Sequence, residues 1–411
     1  MAPLQAIPAD LVTPLGAYLR LRGDEGGSFL LESVERGRLG RSSFVGWGSR
    51  LVAFEEAERL GAPVVGYLSY DYAAKLEPTV PLPAQGPELP ESRFVLVEVL
   101  VRFDHAAGVA EVLVGEPDDV AHRLEKPLPP ARRAPARASG PLRRLPSQER
   151  YEQMVLCCKE LIEAGDAYQI VPSQRAERPT SVTALDLYRA LRRVNPSPYL
   201  FLLELDELAL IGSSPERLVA CEDGRANVSP IAGTTAAGEG DAERLLSSDK
   251  DRAEHVMLVD LGRNDLSRVC RAGTVRVARS MEIERFSHVS HIVSEVVGEL
   301  RDGVTPFDVL RACFPAGTVT GAPKVRAMQI ISELEGYRRG PYAGAVGYVL
   351  PGGTMDTCIA LRTMVLTDGI VRIQAGAGVV ADSQPTAEHR ECLAKLAALE
   401  AAIELAEREY A

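Results

Sequence analysis

The chain has 411 residues, of which 46% are hydrophobic and 25% are charged, values that are ordinary for globular proteins and exclude general disorder. A formal net charge of -11 argues against non-specific binding to nucleic acid, and it means that an anionic substrate would need a locally positive site or a bound cation. The sequence begins without a secretory pattern and contains no run of about 18 apolar residues, so we expect a cytoplasmic protein that does not enter a membrane.

The N-terminal part of the chain favours β-structure. The segment "GAPVVGYLSYDY" predicts a buried strand, and "FVLVEVLVRFDHAAGVAEVLVG" predicts a hairpin around an Asp-His-Ala-Ala-Gly turn. Residues 126–147 follow, rich in proline and arginine and without an acidic residue. Dense proline prevents a helix or a strand ladder, so we predict an exposed linker there, with a basic docking strip as the alternative. We therefore divide the chain into an N-terminal region (1–125), a linker (126–147) and a C-terminal region (148–411).

Helices and strands mix in the C-terminal region. Ser147 can cap a helix that ends at Gly165, and "AYQIVPSQR" predicts a strand in which Pro172 marks an edge or a bulge. A helix at 184–193 and a strand pair at "YLFLLELDELALIGSS" come next. The last third alternates further helices with strands, the helices at 249–261, 323–334 and 386–407 and the strands at "GAVGYVL", "CIALRTMVL" and "IVRIQAGAGVV". These patterns predict a mixed α/β chain with much antiparallel sheet.

Two of the predicted helices carry paired carboxylates. Asp251 and Glu254 are three residues apart, as are Glu388 and Glu391, so each pair shares one helical face. Acids in the first turns of helices are commonly favoured by the helix dipole and need no further function. The two pairs together could instead supply oxygen ligands for Mg²⁺, which proteins hold by one or two carboxylates plus ligand oxygens.

Other segments could bind an anion. "QAGAGVV" ends a strand with small residues, and "FPAGTVTGAPKVRAM" runs into a helix with Pro323 and Lys324 at its start. Arg362, in the predicted strand "CIALRTM", requires a bidentate anion partner, either a structural carboxylate or a ligand. His288 and His291 could share a helical face as functional groups, and the alternative is a structural role for both.

Eleven segments, in order along the chain, resemble the large (aminase) subunit of anthranilate synthase, component I, one of the chorismate-utilising enzymes. They are "SFLLES", "DAYQIVPSQR", "NPSPYLF", "IGSSPERL", "PIAGT", "DRAEHVMLVDLGRNDLSRVC", "HVSHIVS", "FPAGTVTGAPKVRAM", "YAGAVGY", "MDTCIALRTM" and "QAGAGVVADS". The resemblance implies an α+β fold, with large antiparallel β-sheets in a sandwich core and helices around it. It also implies a Mg²⁺-dependent lyase that makes anthranilate and pyruvate from chorismate and ammonia in tryptophan biosynthesis.

The resemblance assigns roles to particular residues. Glu254 and Glu391 would hold the metal, with Asp251 and Glu388 beside them. The substrate-binding groups would be Gly233, Thr234, Tyr342, Arg362 and the backbone donors of Gly376, Ala377 and Gly378. The catalytic groups would include His291 and also Glu216, the acid that assists loss of the C4 hydroxyl.

Two further positions distinguish the reactions of related enzymes. Isochorismate and salicylate synthases carry a lysine where this chain has Gln169, because a water nucleophile must be deprotonated, whereas ammonia is already a competent nucleophile. Aminodeoxychorismate synthases carry a lysine that attacks C2 covalently at the position of Ala232. With Ala232, C2 stays open to ammonia, so the resemblance implies 2-amino-2-deoxyisochorismate as the intermediate. An enzyme that stops at this amine is one alternative, and a non-catalytic tryptophan-binding module is another.

The resemblance also implies partners. The chain lacks a Cys-centred glutamine amidotransferase region, so ammonia would come from a separate glutaminase subunit in a hetero-oligomer. The segments "LLES" and "NPSPYLF" resemble the walls of the family's tryptophan feedback site, with candidate residues Glu32, Ser33, Asn195, Pro198 and Tyr199. Three residues depart from the family pattern: Pro172 replaces leucine, Thr235 replaces arginine and Leu200 replaces methionine.

Overall fold

The structure is a computed structural model, and it describes residues 6–33, 42–130, 140–236, 238, 240–285 and 289–410. The described strands are β1 (Ala6–Pro8), β2 (Gly27–Glu32), β3 (Ser42–Gly48), β4 (Arg50–Val52), β5 (Val64–Leu68), β6 (Ser92–Leu96), β7 (Val99–Asp104), β8 (Val109–Val114), β9 (Arg143–Leu145), β10 (Gln169–Ile170), β11 (Ser173–Pro179), β12 (Tyr199–Leu205), β13 (Leu208–Ser214), β14 (Arg217–Glu222), β15 (Arg225–Val228), β16 (Ile231–Ala236), β17 (Arg276–Arg285), β18 (Val289–Glu299), β19 (Gly321–Ala322), β20 (Ala345–Val349), β21 (Met355–Ile359), β22 (Thr363–Thr367) and β23 (Ile370–Gly376). The described α-helices are α1 (Pro14–Leu21), α2 (Phe54–Leu60), α3 (Ala73–Leu76), α4 (Pro117–Glu125), α5 (Gln148–Glu163), α6 (Ala184–Val194), α7 (Asp241–Ser247), α8 (Asp249–Ser267), α9 (Pro306–Cys313), α10 (Lys324–Glu335) and α11 (Pro385–Glu409). Short 3-10 turns lie at Tyr70–Tyr72 and Gly317–Val319.

Two large antiparallel sheets contain most of the described strands. Eleven strands form one sheet in the order β1-β8-β7-β3-β2-β12-β13-β22-β23-β11-β9. Ten strands form the other, in the order β16-β18-β15-β14-β21-β20-β5-β6-β4 with β17 added beside β18. Phe29 and Phe201 of the first sheet pack in one buried cluster with Tyr67 and Val346 of the second, so the two sheets form a sandwich.

Helices cover the outer faces of the sandwich. Helices α1, α4, α6 and α11 share a buried cluster with the eleven-stranded sheet. Helices α2, α8, α9 and α10 share another with the ten-stranded sheet. This arrangement confirms the predicted α+β fold with a sandwich core. Of the described helices, none combines the length and apolar character that would let it span a bilayer.

Strands from both sides of the predicted linker share both sheets. Leu200 of β12 pairs with Glu32 of β2, and Ala345 of β20 pairs with Leu68 of β5. Strands from residues 1–125 and from residues 148–411 therefore alternate within the same sheets. The division at residues 126–147 remains a prediction. The expectation that this segment forms no strand ladder is wrong at its end, because β9 pairs with β11 and forms the edge of the eleven-stranded sheet.

The predicted helices of the C-terminal region are all present, and the strand pair forms β12 and β13. The Ser147 hydroxyl accepts from the Arg150 N–H, as expected of an N-cap residue. The predicted strand "AYQIVPSQR" is broken into β10 and β11, with Pro172 in the break. The first run of the predicted hairpin is also two strands, because β6 belongs to one sheet and β7 to the other.

Candidate active site

A bulge in the ten-stranded sheet brings four predicted site residues together. Strand β16 pairs Ala232 with Ile292 and Thr234 with His291, so Gly233 is the extra residue between the two pairs. Its φ of 64° lies in the left-handed region, which favours glycine. Ala232 is buried, and it presents only a methyl group at this position. The Thr234 side chain lies outside the described part of the structure.

His291 lies on strand β18, so the prediction that it shares a helical face with His288 is wrong, and His288 itself lies outside the described residues. Its Nδ1 is 3.0 Å from the Gly233 carbonyl oxygen. Because a carbonyl oxygen only accepts, Nδ1 carries the proton. Burial lowers the pKa of His291, and the charge of Arg362 lowers it further. The neutral ring therefore has Nε2 as its basic nitrogen.

Arg362 lies between β21 and β22, not within a strand as predicted, because the chain passes here from one sheet to the other. Its φ is 46°, in the left-handed region, and its carbonyl accepts from the Ser213 N–H at 3.1 Å. Burial lowers the pKa of the guanidinium. Within the described part of the chain, no carboxylate lies within ion-pair distance of Arg362. A guanidinium that is partly removed from water is stabilised by an anion, so the ligand alternative stays open.

Glu216 is buried between β13 and β14. Burial raises the pKa of its carboxyl to about 8, although the Thr318 hydroxyl and the charge of Lys395 oppose the change. Glu216 therefore carries a proton near neutral pH and can act as an acid. Its backbone is held in place, because the Glu216 carbonyl accepts from the Ile359 N–H at 3.0 Å. A cavity of about 50 Å³ adjoins Glu216 and Thr318.

The glycine-rich loop, residues 376–378, begins at the last residue of β23 and packs closely against its neighbours. The Tyr342 hydroxyl would lie 3.1 Å from a Cβ placed on Gly376, and the Gln169 amide nitrogen would lie 2.5 Å from a Cβ placed on Gly378. Both glycines thus allow an approach that larger residues would prevent. The Ala377 N–H donates to the Pro172 carbonyl at 3.3 Å, so this predicted donor already has a partner within the fold.

The carboxylates of α8 and α11 approach this loop by different contacts. Glu254 of α8 accepts from Gln169 Nε2 at 3.1 Å. Glu391 of α11 pairs with Lys395 at 2.8 Å, and Lys395 also donates to the Gly376 carbonyl at 2.9 Å. The Asp251 side chain lies outside the described part, and Glu388 is buried within α11.

The donor set fits a magnesium ion. The described residues contain no cluster of three or more His, Cys, Asp and Glu side chains that could hold a metal alone. Magnesium does not need such a cage, because it keeps several waters and is usually bound by one or two carboxylates plus substrate oxygens. Glu254 and Glu391, which reach the segment 376–378 through Gln169 and Lys395, are the two carboxylates that would hold such an ion, and Glu391 would then exchange its ion pair with Lys395 for the metal.

Lys324 does not offer a free positive charge at the start of α10. Its Nζ donates to Asp265 at 2.8 Å and to the Cys313 carbonyl, and both charged side chains are only 11% exposed. The cationic part of the predicted anion-facing helix start is therefore wrong, because a carboxylate of α8 already neutralises Lys324.

The candidate tryptophan residues lie near the end of the β2–β12 pair, where Glu32 pairs with Leu200, but the Glu32 side chain faces α6 whereas Tyr199 faces the other sheet. Glu32 accepts from the Tyr188 hydroxyl and forms an ion pair with Arg192 at 3.2 Å. The Ser33 hydroxyl oxygen is buried and has no hydrogen-bond partner among the described residues. Pro198 is buried, and the Tyr199 hydroxyl accepts from Arg217 Nε at 2.8 Å. Asn195 exchanges hydrogen bonds with the Ser213 hydroxyl.

Two residues near the site were not predicted. Lys395 contacts Glu391 and Gly376, and Thr318 affects the pKa of Glu216. Lys395 follows Glu391 by four residues on α11, a spacing that could have drawn attention to it. Thr318 lies in the conspicuous segment "FPAGTVTGAPK", but nothing in its spacing indicates contact with Glu216.

Comparison with known proteins identifies the family of the chain. Residues 31–401 match the model of the chorismate binding enzyme family. The chain is 43% identical to the probable anthranilate synthase component 1 of Schizosaccharomyces pombe, over 98% of this chain and 93% of that protein. It is 42% identical to anthranilate synthase component 1 of Thermus thermophilus, over 97% of each chain. The crystal structure of anthranilate synthase component I from Streptococcus pneumoniae superimposes with a TM-score of 0.80 at 31% identity, covering 96% of this chain and 98% of the other. The chain therefore belongs to the chorismate binding enzyme family, among the proteins related to anthranilate synthase component 1.

Proposed function

We propose that this protein is the large subunit of an anthranilate synthase, a lyase that converts chorismate and ammonia to anthranilate and pyruvate. The observation that carries the proposal is the neutral pair Gln169 and Ala232. Neither side chain can deprotonate water or attack C2, so ammonia is left as the nucleophile. The names of the relatives support the same activity.

Chorismate is a dicarboxylate, and this acidic protein must offset its charge locally. Arg362, which has no carboxylate partner among the described residues, binds one substrate carboxylate. Glu254 and Glu391 would hold Mg²⁺, which would supply positive charge to the other carboxylate when bound. Tyr342, Gly233, Thr234 and the small residues of the loop 376–378 complete the pocket around the substrate ring.

The buried acid and the neutral histidine serve different bond changes. Glu216 gives its proton to the C4 hydroxyl, which leaves as water while ammonia forms a bond to C2. The product of this step is 2-amino-2-deoxyisochorismate. His291 Nε2 then takes the proton from C2 and the bond from C3 to the enolpyruvyl oxygen breaks, so that the ring becomes aromatic. The enolpyruvate that leaves takes up one proton, equal in number to the one His291 removed, and becomes pyruvate.

The same proposal extends to partners and control. Ammonia comes from a separate glutamine amidotransferase subunit in a cytoplasmic hetero-oligomer, which the "component 1" in the relatives' names supports. Tryptophan inhibits by binding at Glu32, Ser33, Asn195, Pro198 and Tyr199. The buried Ser33 hydroxyl without a described partner supports a polar ligand at this position.

A direct assay tests the activity. The purified chain is incubated with chorismate, ammonium and Mg²⁺, and we expect the fluorescence of anthranilate to appear together with an equal amount of pyruvate. A reaction without ammonium is the control and should produce neither. Accumulation of a non-aromatic amine would show an enzyme that stops at the intermediate. Tight tryptophan binding without any consumption of chorismate would show a binding module instead.

A further inference from the structure

The orientation of the Gln169 amide is determined by its neighbour. Gln169 is buried, with only 4% of its surface exposed, and its Nε2 donates to Glu254 Oε1 at 3.1 Å. Glu254 offers acceptor oxygens to this contact, so the nitrogen end of the amide must face it. The side chain is also confined by Gly378, where a Cβ would lie only 2.5 Å from Nε2. The amide oxygen is thus held in one direction.

The other end of the amide lacks a partner. Gln169 Oε1 is buried, and no described residue forms a hydrogen bond with it. An unpaired buried acceptor destabilises a protein, so such atoms are expected to meet a donor from a ligand or a water. The residue that follows, Ile170, pairs with Val379 directly after the glycine-rich loop, and this pairing anchors Gln169 beside the candidate substrate pocket.

We propose that Gln169 Oε1 is the acceptor that holds the ammonia nucleophile in the active site. The inference rests on the proposed anthranilate synthase activity and adds the position of its second substrate. Ammonia has three N–H groups and one lone pair, so a hydrogen bond to Oε1 leaves the lone pair directed away, toward C2. When the bond from nitrogen to C2 forms and the bond from C4 to oxygen breaks, Glu216 gives its proton to the leaving hydroxyl, which departs as water. The new ammonium group at C2 then loses one proton to solvent water, and the Glu216 carboxylate takes one back from solvent.

A neutral acceptor suits this role better than a charged one. A carboxylate at this position would favour ammonium, which has no lone pair and cannot attack C2. The amide oxygen accepts the same N–H group without favouring the protonated form. A lysine in its place would offer only donors when charged, and so could not accept from ammonia.

Gln169→Met tests the proposal, because it keeps the length of the side chain and removes the acceptor. At saturating chorismate and Mg²⁺, we expect the KM for ammonium to rise about tenfold or more, as befits the loss of one hydrogen bond in a buried site. The KM for chorismate and the Mg²⁺ concentration for half-maximal activity should stay within about twofold of wild type. Gln174→Met is the matched control, since Gln174 is also buried but bonds to His389, and it should leave the KM for ammonium unchanged.

The outcomes separate the inference from the function on which it rests. A wild-type chain that makes no anthranilate from ammonia would refute the proposed function itself. If the wild type is active and Gln169→Met keeps a normal KM for ammonium, only the inference is refuted. It is also refuted if the Mg²⁺ requirement rises in parallel, because the effect would then act through Glu254. Gln169→Asn retains the amide but shortens the side chain by one methylene. If the methionine variant does not fold, a raised KM for ammonium in Gln169→Asn supports the inference, and an unchanged KM refutes it.

Discussion

Replacing Glu216 by glutamine tests the electrostatics of the candidate active site. The pKa of the folded-state carboxyl is raised from 4.5 to about 8 because the group is buried. A difference of about 3.5 between the folded and unfolded pKa corresponds to about 5 kcal/mol. The folded state binds the proton more tightly, so this stability is fully present below a pH of about 4.5 and is lost as the pH rises through about 8. Glutamine has no titrating proton and should abolish the dependence.

The measurement is urea unfolding, followed by far-ultraviolet circular dichroism, at several pH values. Between about pH 5 and about pH 9, the free energy of unfolding of the wild type should fall by about 4 kcal/mol more than that of Glu216→Gln. Glu404→Gln changes an exposed glutamate of α11 and should follow the wild type. Parallel curves for wild type and Glu216→Gln would refute the conclusion that Glu216 is protonated in a buried site.

The same variant has a kinetic signature. If Glu216 is the acid, wild-type kcat falls as the pH rises through about 8, because the ionised carboxylate cannot give a proton to the C4 hydroxyl. Glu216→Gln should lower kcat about 100-fold or more and should lack this alkaline limb. An alkaline limb that persists in Glu216→Gln would assign it to another group.

Four further changes test the remaining parts of the site. Ala232→Lys should abolish anthranilate fluorescence, because its amine competes for C2 or blocks ammonia; near-normal activity would contradict the nucleophile assignment. Arg362→Gln should raise the KM for chorismate by about 10- to 100-fold with little change in melting temperature, whereas Arg217→Gln, which breaks a buried ion pair, should lower the melting temperature. Glu391→Gln should raise the Mg²⁺ concentration for half-maximal activity about tenfold or more, and an unchanged Mg²⁺ titration would remove Glu391 as a ligand. Glu32→Gln should raise the inhibition constant for tryptophan while turnover without tryptophan is retained; equal inhibition of both proteins would place the inhibitor elsewhere.

Local signals were sufficient for the helices and for several strands. Capping side chains and apolar spacing predicted α5, and the structure contains the Ser147 cap at its start. Strands β12 and β13 were predicted as a pair from the run "YLFLLELDELALIGSS", and the structure pairs them antiparallel from Tyr199 to Ser214. These features depend on interactions between residues close in sequence, which is why spacing alone revealed them.

The points where the chain changes sheet were not predictable in the same way. The run "CIALRTMVL" reads as one strand, but the chain leaves the ten-stranded sheet after β21 and enters the other at β22. The residues on both sides of this break are buried, so their apolar pattern is continuous across it. His291 was misplaced for a related reason, since a spacing of three residues does not distinguish a helix from a strand in so short a segment.

The sequence by itself determined the residue types of the candidate site and the family to which the chain belongs. The sequence also shows that Gln169 and Ala232 stand where related enzymes carry lysines, because the identity of a residue can be read without coordinates. Only the tertiary structure decided that Glu216 holds a proton, that Arg362 has no described carboxylate partner and that Gln169 Oε1 lacks a donor. The physical reason is that protonation and hydrogen bonding depend on burial and on neighbours distant in sequence, and both arise only when the two sheets and their helices pack together.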